Sequence, residues 1–235
     1  PPQKSRRGQH INKSPVQGIS ETLNIDFRCP QTLRDNDEEY NIIKELNADL
    51  AIVVAYGQII PENFLNLTKK GFINIHASIL PKWRGAAPIQ RSIMKLDTET
   101  GISIMKINKE LDSGPISNIY KIKIDHNNNT QEISEKLSLL AAEKILDNID
   151  EIFEDKIQFI DQDHSKATYA KKIDKNEGKI NWSDKAINII GKINGLFPIP
   201  GAFFIFNGER YKILKAEIGN GIGKAGEVLT DKLEI

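Results

Sequence analysis

Three side chains in this sequence are of the types and spacing that acyl transfer needs. Asn74 and His76 lie in Phe-Ile-Asn-Ile-His at 72–76, and Asp112 lies in Glu-Leu-Asp-Ser-Gly-Pro-Ile at 110–116. Successive side chains of a strand point to opposite faces, so Asn74 and His76 share one face and Ile73 and Ile75 the other. A neutral imidazole can accept a proton from an attacking amine at neutral pH. A side-chain amide can donate to the oxygen that turns negative when a carbonyl is attacked. A carboxylate can orient the imidazole, favour its cationic form or pass protons through water. Together they suit acyl transfer to an amine with no acylated protein residue. Taken singly, each has a plainer reading: a structural histidine, a turn asparagine, and an aspartate serving the Ser-Gly-Pro turn.

Such a strand end needs a scaffold, and open α/β sheets place their ligands at strand ends. Ser14-Pro15 is a helix start, a capping hydroxyl followed by proline, and that helix is expected to run to about Leu23 before a short strand at Ile-Asp-Phe-Arg. Asp35 or Asn36 can cap a second helix with Tyr40, Ile43 and Leu46 along one face. Asp-Leu-Ala-Ile-Val-Val-Ala-Tyr-Gly at 49–57 is an apolar run suited to a central parallel strand. A helical turn near Glu62, the strand at 72–76 and a helix from about Ala86 to Leu96 follow. Two strand-like runs then flank the Asp112 turn, and Thr130 is read as the cap of a long helix ending near Phe153. Alternating strand and helix patterns predict a doubly wound, Rossmann-like α/β domain over 1–154. Residues 155–170 are charged and weakly patterned, a connector. From 171 onward a helix and the runs Gly-Ala-Phe-Phe-Ile-Phe, Tyr-Lys-Ile-Leu-Lys-Ala-Glu-Ile and Gly-Glu-Val-Leu-Thr suggest a small, mostly β, OB-like barrel.

With 235 residues, a formal net charge of +0 and 39% hydrophobic residues, the composition is that of an ordinary globular protein. Balanced charge leaves nucleic-acid binding open, because a local patch can sit on a neutral whole. The single cysteine, Cys29, excludes an intrachain disulfide framework and fits a reducing compartment. No apolar run approaches the ~18 residues of a membrane-spanning helix. His10, His126 and His164 are not spaced as metal ligands, so no metal is expected. The opening residues carry Lys4, Arg6, Arg7, His10 and Lys13 with almost no apolar content. They read either as a solvated loop or as a contact for a phosphate backbone.

Asn-Ile-His-Ala-Ser-Ile-Leu-Pro-Lys-Trp-Arg-Gly-Ala-Ala-Pro-Ile-Gln-Arg-Ser-Ile at 74–93 closely resembles the signature of the formyltetrahydrofolate-dependent formyltransferases. Glu-Leu-Asp-Ser-Gly-Pro-Ile resembles that family's Asp-Thr-Gly partner. The resemblance implies that Asn74, His76 and Asp112 are catalytic and that Ser78, Ile79, Leu80 and Pro81 bind folate, with Ile79 where the family has leucine. Tyr56, Gly57, Ile59 and Ile60 could form an apolar wall for the pterin. The co-substrate implied is 10-formyltetrahydrofolate. Trp83 to Ile89, Val53 to Pro61 and Tyr169 to Ser183 point to the branch that formylates methionyl initiator tRNA. That makes Lys4, Arg6 and Arg7 candidate tRNA contacts, with the C-terminal domain as a second tRNA surface. The resemblance also implies a first βα unit ahead of residue 1; the strand-like Gly-Glu-Val-Leu-Thr so near the end suggests a cut C-terminal domain, so both domains are expected to be incomplete and 1–235 alone inactive or poorly folded. A monomer in a bacterial-type cytosol or organelle matrix, with no membrane partner, is expected. The rival readings are a sugar-nucleotide N-formyltransferase, a formyltetrahydrofolate hydrolase domain, or a tRNA- or folate-binding module without activity.

Overall fold

The computed structural model describes residues 3–4 and 11–235, with side chains from residue 13 onward. The chain divides into two compact units, 1–49 with 58–69, and 50–57 with 70–235.

The first unit begins with the short antiparallel pair β1 (Gln3–Lys4) and β2 (Ile11–Asn12). Helix α1 (Pro15–Thr22) starts as its sequence predicts, with the Ser14 hydroxyl accepting from the Gln17 N–H. Helix α2 (Asp37–Glu45) is capped by Asn36, and Asp37, Glu38 and Glu39 occupy its first turn, where the helix dipole favours negative charge. Helix α3 (Glu62–Leu65) buries Phe64, whose ring meets Tyr40 edge-on at 5.4 Å. The Ile-Asp-Phe-Arg segment is not a strand. Among the described residues no strand pairs with it, and Arg28 donates to Glu39, a carboxylate that is itself buried.

The second unit is built on a four-stranded mixed sheet in the order β3 (Ala51–Val53), β4 (Phe72–His76), β5 (Glu99–Lys106), β6 (Ile116–Lys123). β3 and β4 are parallel, whereas β4–β5 and β5–β6 are antiparallel. The apolar run at 49–57 suggested a central strand covered on both faces, yet β3 is an edge strand of the described sheet, with Ile52 and Val54 exposed. An apolar run records affinity for a pleated, covered surface but not which neighbours supply it.

Helix α4 (Pro88–Met94) follows the strand-end loop. Helix α5 (Thr130–Phe153) lies along one face of the sheet. Ile133, Leu137 and Ala141 pack with Ile75, Ile93, Ile102 and Ile124, and Ile152 packs with Ile73 and Ile104. Thr130 is not its cap. Asn129 is, in a reciprocal capping box with Glu132, while the Thr130 hydroxyl donates to the Gly195 carbonyl at 2.7 Å. Helix α6 (Ala186–Leu196) forms a small core through Ile193 with Ile180 and Ala202. Strands β7 (Ala202–Phe206) and β8 (Glu209–Ile213) make an antiparallel hairpin across Asn207-Gly208. The Gly-Glu-Val-Leu-Thr run is not a strand; Leu229 N–H closes locally on the Glu234 carbonyl. No described helix is long and apolar enough to cross a membrane.

Candidate active site

β4 delivers its polar residues as strand alternation requires. Ile73 and Ile75 enter the α5 side of the core, leaving Asn74 and His76 for the opposite face. Asn74 is half-buried, and its amide makes no side-chain hydrogen bond among the described residues. His76 is buried at 6% exposure. Its Nε2 lies 2.9 Å from the Trp83 carbonyl oxygen, and its Nδ1 lies 3.6 Å from Asp112 Oδ2. Asp112 comes from the turn between β5 and β6, with its own backbone at φ 47°. Its Oδ2 accepts the Gly85 N–H at 2.8 Å. The structure therefore brings His76 and Asp112 together and ties both to the 81–85 loop.

Two glycines allow this convergence. Gly85 has φ +117°, and a Cβ there would stand 2.9 Å from the Ala170 carbonyl oxygen. At Gly114 a Cβ would stand 2.0 Å from the Lys106 carbonyl oxygen, so the Asp112 turn can lie against β5 only without a side chain at that position.

The Ser78–Pro81 segment is pinned from inside. The Ser78 hydroxyl is fully buried and donates to the Lys82 carbonyl at 2.6 Å. Leu80 is buried too, and its N–H donates to Ser103 Oγ, which in turn donates to the Ser78 carbonyl at 2.7 Å. Ser103 sits opposite His76 in the β4–β5 register. Ile79 and Pro81 remain half-exposed. Ser78 and Leu80 thus shape the loop with their side chains, and Ile79 and Pro81 offer the accessible apolar surface. Tyr56, half-buried, and Gly57, exposed, belong to this same unit. Ile59, 77% exposed, and Ile60 belong to the other unit. Arg6 and Arg7 lie outside the described residues, as does the Lys4 side chain.

Several site-building residues escaped the sequence reading. Asp97 accepts from the Trp83 indole N–H at 2.7 Å and pairs with Lys82 at 2.7 Å, anchoring the loop whose carbonyl meets His76. Arg84 is buried and donates to Gln162 Oε1 and toward His164 Nδ1. Thr168 accepts from both the Arg84 N–H and, through its hydroxyl, the Trp83 N–H. Gln162 and Thr168 lie in the weakly patterned connector at 155–170, whose composition carries no sign of a role in the site. Among the described residues no group of His, Cys, Asp and Glu is arranged to hold a metal ion.

This arrangement can activate an amine beside a carbonyl. Residues 2–149 match the Formyl transferase family, and residues 172–234 match its Formyl transferase C-terminal domain. The chain is 66% identical over 235 residues to the methionyl-tRNA formyltransferase of Pelagibacter ubique, covering 100% of this chain and 76% of the relative. Among solved structures, a 4-N formyltransferase from Francisella tularensis superposes with a TM-score of 0.71 at 22% identity, over 92% of this chain and 86% of that one. HypX from Aquifex aeolicus in complex with tetrahydrofolic acid superposes with a TM-score of 0.66 at 18% identity, over 80% of this chain and 34% of that one. Family matches over both parts of the chain, joined to full-chain identity of this degree, give one conclusion: the chain belongs to the formyl transferase family, among its methionyl-tRNA formyltransferases.

Proposed function

We propose that this protein transfers the formyl group of 10-formyltetrahydrofolate to the α-amine of methionine carried on initiator tRNA. The observation that carries this reading is the facing of His76 Nδ1 and Asp112 Oδ2 at the end of the strand that also presents Asn74. The Trp83 carbonyl can only accept, so the neutral ring holds its proton on Nε2 and directs the Nδ1 lone pair toward Asp112. The amine nitrogen attacks the formyl carbon, and the carbonyl oxygen gains the charge that the Asn74 amide stabilises. Nδ1 takes the amine proton, and the resulting imidazolium faces the Asp112 carboxylate. Collapse breaks the bond to N10 of the folate, the imidazolium returns the proton to that nitrogen, and tetrahydrofolate leaves.

Ile79 and Pro81, together with Tyr56 and Gly57, are proposed to receive the folate, with Ser78 and Leu80 shaping the segment. Lys4, Arg6 and Arg7 are proposed to meet tRNA phosphates, a contact that weakens as salt rises. The proposed organisation is a catalytic domain at 1–154, a connector at 155–170 and a tRNA-facing domain at 171–235, acting as a cytosolic monomer.

Formylation of methionyl initiator tRNA by His76→Ala, Asn74→Ala and Asp112→Asn enzymes tests the assignment. Each should lower turnover by about 10²- to 10⁴-fold while the protein stays folded. A folded variant with wild-type turnover removes that residue from the mechanism. Formylation of a sugar nucleotide that charged tRNA cannot compete against would replace the tRNA reading.

A further inference from the structure

Gln162 lies in the stretch of sequence with the least pattern, yet it is 6% exposed and uses both ends of its amide. Its Oε1 accepts from Arg84 Nε at 3.0 Å and Arg84 Nη2 at 2.6 Å. Its Nε2 donates to the backbone carbonyls of Asp112 at 3.0 Å and Gly114 at 2.7 Å. One side chain therefore joins the loop that carries the Trp83 carbonyl and the Gly85 N–H to the turn that carries Asp112. The segment around it is fastened on both sides. Ile160 exchanges backbone hydrogen bonds with Ile116, two residues beyond Gly114, and Ala170 and Thr168 bond to the backbone of Arg84.

We infer that Gln162 is a positioning residue for formyl transfer, setting the separation of Asp112 from His76 through the Arg84 loop. The inference rests on the reading of Asp112 as a catalytic residue. The chemistry favours an amide at this position. Arg84 requires an acceptor and the two carbonyls require donors, and no other uncharged side chain of this length supplies both. A carboxylate would serve Arg84 but set its oxygens against the carbonyls of Asp112 and Gly114. An apolar isostere would leave the buried guanidinium without its main acceptor. Gln162 touches no reacting atom, and its amide bonds to the Asp112 and Gly114 carbonyls make the placement of Asp112 the route of its proposed effect.

A double-mutant cycle on the enzyme tests this, with Gln162→Met and Gln162→Glu each made alone and with Asp112→Asn. Folding is followed by circular dichroism and thermal melting. Either Gln162 variant alone should lower kcat by about 10- to 100-fold, with KM for tRNA and folate within about 2-fold, because misplacement of a catalytic group costs that much. Gln162→Glu keeps the contact to Arg84, so it covers the case in which Gln162→Met does not fold. In the Asp112→Asn background the same changes should lower kcat by less than about 3-fold, since the carboxylate whose placement Gln162 sets is gone. Full, additive losses in that background, or wild-type kcat in a folded Gln162→Glu enzyme, would overturn the positioning role while leaving the mechanism intact. Wild-type turnover by Asp112→Asn alone would overturn both.

Discussion

His76 Nδ1 faces Asp112 Oδ2 across 3.6 Å while Nε2 of the same ring lies 2.9 Å from the Trp83 carbonyl oxygen. The two contacts divide the work of the ring. At 2.9 Å the carbonyl contact is an ordinary hydrogen bond, whereas 3.6 Å is too long for one. The ring is thus held at one nitrogen, and the other is left for the proton transfer proposed above. Side-chain ¹⁵N chemical shifts of His76 should report the Nε2–H tautomer in the neutral ring. A dominant Nδ1–H tautomer would contradict the placement of the basic lone pair.

Gly85 couples backbone geometry to the same pair. Its N–H donates to Asp112 Oδ2, its φ of +117° suits glycine alone, and a Cβ would press on the Ala170 carbonyl. Gly85→Ala should cost about 1–3 kcal/mol of stability through strain. It should also lower formylation by about tenfold or more, through the displaced carboxylate. Urea unfolding and turnover, measured on the same preparation, check both; an unchanged value in either contradicts the coupling.

Outside the site, Arg91 on α4 grips Glu177 with two hydrogen bonds of 2.6 and 3.0 Å and also donates to the Lys171 carbonyl. The guanidinium hydrogen bonds hold the Glu177 carboxyl below its ordinary value of 4.5, against some opposing burial. A lowered folded-state pKa adds stability that is present above the ordinary value and is lost as pH falls through it toward the folded value. Arg91→Ala should therefore lower the Tm at pH 7 by about 2–4 °C, for a loss near 1 kcal/mol in this partly exposed pair. The gap between wild type and variant should narrow below about pH 5, leaving a remainder from the carbonyl contacts, which do not titrate. A gap that widens on acidification would contradict the ion pair's share.

Much of the scaffold was readable from local chemistry. Ser14-Pro15 and Asn36 begin helices because caps and fixed φ act within a few residues, and the alternation of 72–76 set the faces of Asn74 and His76 because strand geometry has period two. Where a neighbour decides, the same reasoning fell short. Among the described residues Ile-Asp-Phe-Arg has strand composition but pairs with no strand, and the cap of α5 is Asn129, which holds the capping box, while Thr130 bonds to Gly195.

The site divides the same way. By itself the sequence singled out the groups proposed for the chemistry, Asn74, His76 and Asp112, because residue type and a long specific motif are one-dimensional properties. Only the tertiary structure decided how they are held: Trp83 setting the histidine proton, Asp97 anchoring that loop, and Gln162 joining it to the Asp112 turn. Gln162 is 50 residues from Asp112 and 78 from Arg84 along the chain. No local pattern of polarity or spacing encodes hydrogen bonds of that separation; they exist because folding makes distant backbone carbonyls and a buried guanidinium neighbours that must be satisfied.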